Sequence, residues 1–385
     1  MKEASDETNP HRVNSLKQPT PVDAKRWIFR VLAPLLIVVM AEAAAIGILW
    51  SKWQREKQAA GSRDFGLLKG NFIQRAHPEI DFSQVYPGRS AAEIDLIQRE
   101  AFELPYIFQP FTGFQLAPAK KQTVEVSSAG FRQGPVSQPW PPVGEALNVF
   151  VFGGSTTFGY AVGSSNTLPV ELQRELQALF TNRQVQCYNF GCGAYFSTQE
   201  RLRFEQLLTA GHVPKLAIFV DGLNDFTFWK GLPLFSEHVA RLFRAEDGSP
   251  PMGPVPPAQT DIEVNAVLRR YQTNVRMIEA VARGWQVQTL FVAQPVPFYD
   301  IPISPQTFPF KTVRAGHELC YAGYTLFEKL TLGGAFGASS IWCGDAFAEA
   351  KAIMYADSIH YSPEGNRVLA RAIVQRAKER GLLKL

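Results

Sequence analysis

From residue 147 onward, short and nearly continuous apolar runs alternate with longer segments whose apolar residues recur at helical spacing. Leu147-Asn148-Val149-Phe150-Val151-Phe152 reads as a buried strand ending at the pair Gly153-Gly154. Leu168, Leu172, Leu176 and Leu179 then return at the period of one helix face. Val185-Gln186-Cys187-Tyr188 predicts a second strand. Ser197 with Glu200 predicts a capping box for a helix through Leu208, which Gly211 stops. Leu216-Ala217-Ile218-Phe219-Val220 is a wholly apolar third strand. Asp261 predicts the cap of a long helix ending near Gly284, residues 287–293 a fourth strand, and Ile341-Trp342 the start of a short fifth. Ser362 as N-cap and Pro363 at the first helical position open a last helix that ends at Gly381. Strands that alternate with helices imply a parallel sheet covered on both faces, because parallel neighbours need a crossover connection. The pattern therefore predicts an α/β domain over residues 146–385. In such sheets ligands bind beyond the carboxyl ends of the strands.

Upstream the pattern changes. Residues 1–26 are polar, carry charges of both signs and predict a disordered tail. Residues 31–49 are apolar apart from Glu42, with Trp27 before them and Trp50 and Trp53 after. A helix over residues 27–50 would span roughly 34 Å, the thickness of a bilayer core, with aromatic anchors at both interfaces. The segment 27–53 is therefore expected to be a single uncleaved transmembrane helix. A buried helix of a soluble domain fits less well. So does a cleaved signal peptide ending at Ala41-Glu42-Ala43, since apolar residues continue to Leu49. Charge does not orient the helix: Lys25, Arg26 and Arg30 on one side balance Lys52, Arg55 and Lys57 on the other. A short tail before a long domain favours the N-terminus inside, with the domain extracytoplasmic, in the periplasm. Glu42 near the midplane would be costly when ionised, which implies a bound proton or a partner helix. Residues 54–145 form a connecting region with a helix expected over 91–102 and a Pro- and aromatic-rich run ending at Pro142. It is too apolar for a free linker and is expected to pack on the domain that follows.

Composition narrows the function classes. The 385 residues are 46% hydrophobic and 19% charged, which suits a sizeable core and excludes a disordered chain. The net charge of +4 is small, and no Lys/Arg block marks a nucleic-acid groove. The four cysteines, Cys187, Cys192, Cys320 and Cys343, form no CxxC pair, which leaves a zinc ribbon or thioredoxin-like site without support. In an oxidising compartment Cys320 and Cys343 are the pair expected to bridge. Their loop of roughly twenty residues would be worth about 3 kcal/mol in chain-entropy terms.

Four motifs carry the candidate chemistry: Gly153-Gly154-Ser155-Thr156-Thr157, Asn189-Phe190-Gly191 running to Tyr195, Gly222-Leu223-Asn224-Asp225, and Asp357-Ser358-Ile359-His360. Three follow a predicted strand and the fourth precedes the last helix, so all can meet at one sheet edge. Ser155 lacks both the GxxxxGK[ST] of a phosphate loop and the GxSxG of a nucleophile elbow, since Thr157 stands at the second Gly. The spacing of Asp357 and His360 lets the carboxylate accept from Nδ1 and leaves Nε2 to take a proton from a serine. Of the six histidines, His11, His77, His212, His238 and His317 have no comparable Asp partner and strand-end setting. The Asn224 amide can donate to a developing oxyanion together with the Ser155 N–H. An ordinary Asn-Asp turn is the bland alternative for Asn224, and a small-residue strand-to-helix turn for Ser155.

In this order the motifs resemble the signature blocks of the SGNH hydrolases, the GDSL esterase/lipase superfamily, of a membrane-anchored bacterial type. Ser155 matches the serine of block I, Asn189 opens block II, Asn224 lies in the GxND of block III, and Asp357 with His360 matches the DxxH of block V. Gly130-Phe131-Arg132 looks like a GFR element of related bacterial members. The resemblance runs from Leu147 to the C-terminus. It implies a flavodoxin-like three-layer α/β/α sandwich, a Ser155–His360–Asp357 triad and hydrolysis of O-acyl esters without metal or organic cofactor. Two positions depart from the family pattern: no acid precedes Ser155, and Ala194 stands where block II usually has a glycine that donates to the oxyanion, with Gly193 one residue earlier. The expected oxyanion donors are Asn224 and the N–H groups of Ser155 and Ala194.

The resulting expectation is an anchored serine esterase that removes an acyl group, acetyl included, from a carbohydrate or lipid-linked substrate. Two alternatives stay open: an O-acyltransferase using the same site, and a non-catalytic domain that binds glycan or a membrane partner. The proline-rich segment 248–257 is a candidate cover for the site or an inert surface insertion.

Overall fold

The computed structural model of the chain describes residues 72–229, 260–297, 299, 307–310 and 317–384, together with Glu42 and Gly47. The chain divides into two compact units, Met1–Gly66 and Leu67–Leu385. Of the first, only Glu42 and Gly47 are described, each helical. The expected tail and transmembrane helix otherwise lie outside the described residues, as does the segment 248–257. Among the described residues no helix is long and apolar enough to cross a membrane.

The described part of the second unit begins with three helices, α1 (Phe72–Ala76), α2 (Phe82–Val85) and α3 (Ala91–Glu100). Ser90 and Glu93 form a reciprocal capping box that starts α3. Two antiparallel hairpins follow, β1 (Tyr106–Gln109) with β2 (Gly113–Leu116), and β3 (Ala119–Lys120) with β4 (Glu125–Val126). The sequence pattern contains no signal for these hairpins, because strands this short show no alternation to read. The segment is tied down by specific bonds. Tyr86 donates to the Ala161 carbonyl at 2.7 Å, the Glu100 carboxylate accepts from the Thr123 N–H at 2.6 Å, and Arg132 bridges β4 to Asn189.

The central sheet comprises β5 (Leu147–Gly153), β6 (Val185–Asn189), β7 (Leu216–Asp221), β8 (Gln288–Ala293) and β9 (Ser340–Trp342). All neighbours are parallel, in the spatial order β6-β5-β7-β8-β9. Numbered within the sheet this is 2-1-3-4-5, the order of flavodoxin-like folds. Among the described residues the helices between the strands are α4 (Ser155–Phe158), α5 (Leu168–Leu179), α6 (Ser197–Thr209), α7 (Leu223–Thr227), α8 (Thr260–Gly284) and α9 (Glu318–Leu332), and α10 (Pro363–Glu379) follows the last strand.

Strand period 2 sorts the core into two chemically different halves. Leu147, Val149, Val151, Leu216, Ile218, Val220, Leu290 and Val292 pack with α5 and α10 in a largely aliphatic layer. Phe150, Phe152, Phe219 and Phe291 point the other way, into the layer under α6, α8 and α9. There Phe219 stacks on Phe152 at 4.9 Å and on Phe291 at 5.2 Å, with Phe204 edge-on at 5.6 Å. A parallel sheet buried on both faces requires this near-continuous apolar sequence.

Three expectations need correction. Ser197 is the first residue of α6 and not its cap; Phe196 caps, and Gln199 Oε1 accepts its N–H at 3.4 Å. The Ser197 hydroxyl is drawn instead to Asp225, and Glu200 is buried. Asp261 likewise lies inside the first turn of α8, one residue after its described start. All four cysteines are free and buried. Cys320 packs in the aromatic layer and Cys343 in the aliphatic one, and no disulfide joins the two thiols that were expected to bridge.

Phe219→Ala would empty the centre of the ring stack, and the expected loss is about 3–5 kcal/mol of stability. Urea denaturation measures it; a loss under about 1 kcal/mol would mean that the stack collapses without penalty.

Candidate active site

At the carboxyl edge of β5 the chain turns through Gly153-Gly154 and begins α4 at Ser155. A Cβ on Gly154 would fall inside the Asn224 amide and within 3.2 Å of the Tyr195 carbonyl. Glycine stands here because three loops meet with no room for a side chain. A single helical turn cannot satisfy its own terminal carbonyls, and two buried side chains do so from outside. Asn189 Nδ2 donates to Thr157 O at 3.2 Å and Phe158 O at 3.1 Å. Arg132 Nη1 donates to Phe158 O and Gly159 O at 3.2 and 2.7 Å, and its Nη2 to Val162 O at 2.7 Å. Arg132 is 1% exposed, and burial pushes its pKa down to about 9. Its charge lies against the negative end of the turn that begins at Ser155.

His360 reaches Ser155 from the loop before α10, with Nε2 2.9 Å from Oγ. Its Nδ1 lies 2.7 Å from Asp357 Oδ2. The other oxygen, Oδ1, accepts the N–H groups of Ile359 and His360, each at 2.7 Å. Burial raises the Asp357 pKa, but the His360 charge and hydrogen bond with the two backbone donors outweigh it, and the carboxyl ends below its ordinary value. An ionised Asp357 keeps the proton on Nδ1 and leaves Nε2 to accept from the serine hydroxyl. The His360 ring is held at 5.5 Å by Phe102 and at 5.4 Å by Tyr160. The arrangement can move a proton from Ser155 to His360 without rearrangement.

Asn224 stands in the first turn of α7, directly beyond β7. Its Nδ2 donates one hydrogen to the Tyr195 carbonyl at 2.6 Å, which leaves the second amide hydrogen for another acceptor. Ala194 precedes that carbonyl by one residue and has φ of 64°, the left-handed region in which an L side chain is strained. A glycine at this position would adopt the same conformation without that strain. Gly193 is closely packed: a Cβ there would strike the hydroxyls of Tyr106 and Tyr160, which lie 2.6 Å apart.

The structure therefore brings Ser155, His360 and Asp357 into one chain of hydrogen bonds, and sets Asn224 beside Gly154. Behind α7 lie three buried carboxyls. Burial raises Glu200 and Asp221 well above their ordinary values, and Asp225 is raised for the same first reason. Asp225 Oδ1 accepts from the Ser197 hydroxyl at 2.6 Å, joining α7 to α6. Among the described residues no group of three or more His, Cys, Asp or Glu could hold a metal ion. Sequence reasoning noticed Arg132 only as part of a short motif and passed over Arg270. Nothing in the local sequence shows which carbonyls a guanidinium will meet.

No protein-family model matches the chain. No curated protein sequence matches it either. Similar solved structures include a catalytic mutant of an acetylxylan esterase from Geobacillus stearothermophilus, 15% identical, covering 62% of this chain and 96% of that one with a TM-score of 0.37. A psychrotrophic esterase from Pseudoalteromonas sp. is 13% identical over 61% of this chain and 98% of that one, with a TM-score of 0.35. Superpositions this loose add nothing to the chemistry, which rests on the side chains above.

Two measurements check the site's local physics. Ala194→Gly relieves a left-handed alanine and is expected to stabilise the chain by about 0.5–1 kcal/mol; a lower melting temperature would contradict the strained φ. A carboxyl with a depressed native pKa contributes stability that is present above its unfolded value of 3.8 and is lost as the pH falls through the native value. Below about pH 5 the stability advantage of wild type over Asp357→Asn should therefore shrink as the pH falls. Urea titrations across that range decide; an advantage that grows in acid rules out the ionised Asp357.

Proposed function

We propose that the chain is a serine hydrolase of the SGNH type that cleaves O-acyl esters. The observation that carries this reading is the unbroken chain from Asp357 Oδ2 through His360 to Ser155 Oγ, with both links under 3 Å. In the proposed reaction His360 Nε2 takes the Ser155 proton as Oγ attacks the ester carbonyl. The negative charge on the carbonyl oxygen is met by the free Asn224 amide hydrogen and the N–H groups of Ser155 and Ala194. The imidazolium, steadied by Asp357, returns its proton to the departing alkoxide and an acyl-serine remains. Water, deprotonated by the same Nε2, then releases the acid and restores Ser155. Each step uses groups already in the chain and needs no cofactor.

The proposed substrate is an acylated, for instance acetylated, carbohydrate or lipid-linked alcohol. The apolar segment 31–49 supports an anchor that would hold the enzyme at a bilayer, with its domain on the extracytoplasmic side. Alkaline carbonate washing should leave the full-length chain in the membrane pellet, and its release would remove the anchor from the proposal.

The activity is tested with the full-length chain on p-nitrophenyl esters of short and long acyl chains and on acetylated oligosaccharides. Ser155→Ala and His360→Ala are each expected to lower kcat by about a thousandfold or more with an unchanged melting curve. Wild-type turnover in both variants would sink the assignment.

A further inference from the structure

Helix α7 is only five residues long, yet it carries Asn224, and one of its carbonyls and those of the two residues after it meet one guanidinium. Arg270, from the middle of α8, donates through Nη2 to Asp225 O at 2.7 Å and through Nη1 to Phe228 O at 3.3 Å and Trp229 O at 3.1 Å. The same guanidinium lies 4.4 Å from the centre of the Phe196 ring. Phe196 follows Tyr195, whose carbonyl receives the Asn224 amide. Arg270 is thus bonded to the turn that holds Asn224 and stacked on the turn that holds Ala194 and Tyr195.

We infer that Arg270 is a positioning residue for the oxyanion site: it clamps the Asn224 turn to the Ala194–Tyr195 turn and so sets the spacing of the donors they carry. The inference rests on the esterase reading of Ser155 and Asn224. A single turn has no cooperative helix to stiffen it, and its free carbonyls would otherwise turn to water. A planar fork that satisfies three of them at once leaves the turn one orientation. The guanidinium charge also suits the negative end of α7 and the face of an aromatic ring. Asp225 acts from the other side, through Ser197. Arg132 caps the Ser155 turn in the same manner, so each of the two short helices at the site is closed by a buried or half-buried arginine.

A donor displaced by a fraction of an ångström loses transition-state stabilisation while the ester still binds. Arg270→Met in the full-length chain should therefore lower kcat on p-nitrophenyl acetate by about ten- to a hundredfold and leave KM within about twofold. Arg270→Lys keeps the charge without the fork and should fall between Met and wild type. It also keeps the test open if the methionine variant does not fold. The deciding measurement is the double-mutant cycle with Asn224→Ala. If Arg270 acts by placing Asn224, its substitution costs little more once Asn224 is gone, whereas a general loosening of the fold would cost as much in either background. Fully multiplicative losses overturn the inference while leaving the esterase reading intact, and so does a wild-type kcat in both Arg270 variants. An Asn224→Ala chain with wild-type kcat overturns the oxyanion assignment and this inference together.

Discussion

The 2.9 Å contact between Ser155 and His360 joins residues 205 positions apart. A hydrogen bond of this kind contributes about 0.5–1.5 kcal/mol net, far less than the cost of ordering two loops around it. It persists only because each end is rigid before the bond forms. On the serine side, Asn189 and Arg132 close the single turn of α4. On the histidine side, the Ala356 N–H donates to His360 O at 2.7 Å, Ser362 N–H to Met354 O at 2.9 Å, and Tyr361 to Pro295 O at 2.7 Å. Asp357 then holds the ring and its own backbone at once. The site is preorganised by bonds that lie outside it.

The same economy explains the polar groups buried beyond the carboxyl ends of the strands. Within the sheet the side chains are mostly aliphatic on one face and aromatic on the other, and few of them need hydrogen-bond partners. Beyond the strand ends, short helices and turns leave main-chain carbonyls and N–H groups without helical partners. Arginines, asparagines and carboxyls are taken into the interior to meet them. Their desolvation is costly, as the raised Glu200 and Asp221 and the lowered Arg132 pKa values indicate. Ala194 adds local backbone strain beside Asn224. Such departures from local preference are expected where geometry is held for chemistry.

Much of the architecture was legible because it depends on local chemistry. A strand covered on both faces must be apolar throughout, so β5, β7 and β8 stand out in the sequence within a residue of their ends. Ser362 and Pro363 start α10 because a hydroxyl acceptor and a missing N–H both suit a helix N-terminus, and the Ser362 hydroxyl does accept from Gly365. Asp357 and His360 lie close enough along the chain for their pairing to be a matter of one turn. Gly154, in contrast, is required by the crowding of two other loops, which lie far away in the sequence.

What tertiary structure alone decided is every partner that comes from far away. Ser197 and Glu200 have the spacing of a capping box, yet Asp225, on a different strand-helix unit, claims the hydroxyl. Cys320 and Cys343 have a spacing that permits a bridge, but they pack into different layers and stay free. Arg132 and Arg270 look like any charged surface residues until the carbonyls of α4 and α7 arrive beside them. Sequence determines which groups need a partner, since that follows from each residue's own chemistry and its neighbours along the chain. The identity of the partner depends on how five strands and their helices stack, and that is settled only when the whole core closes.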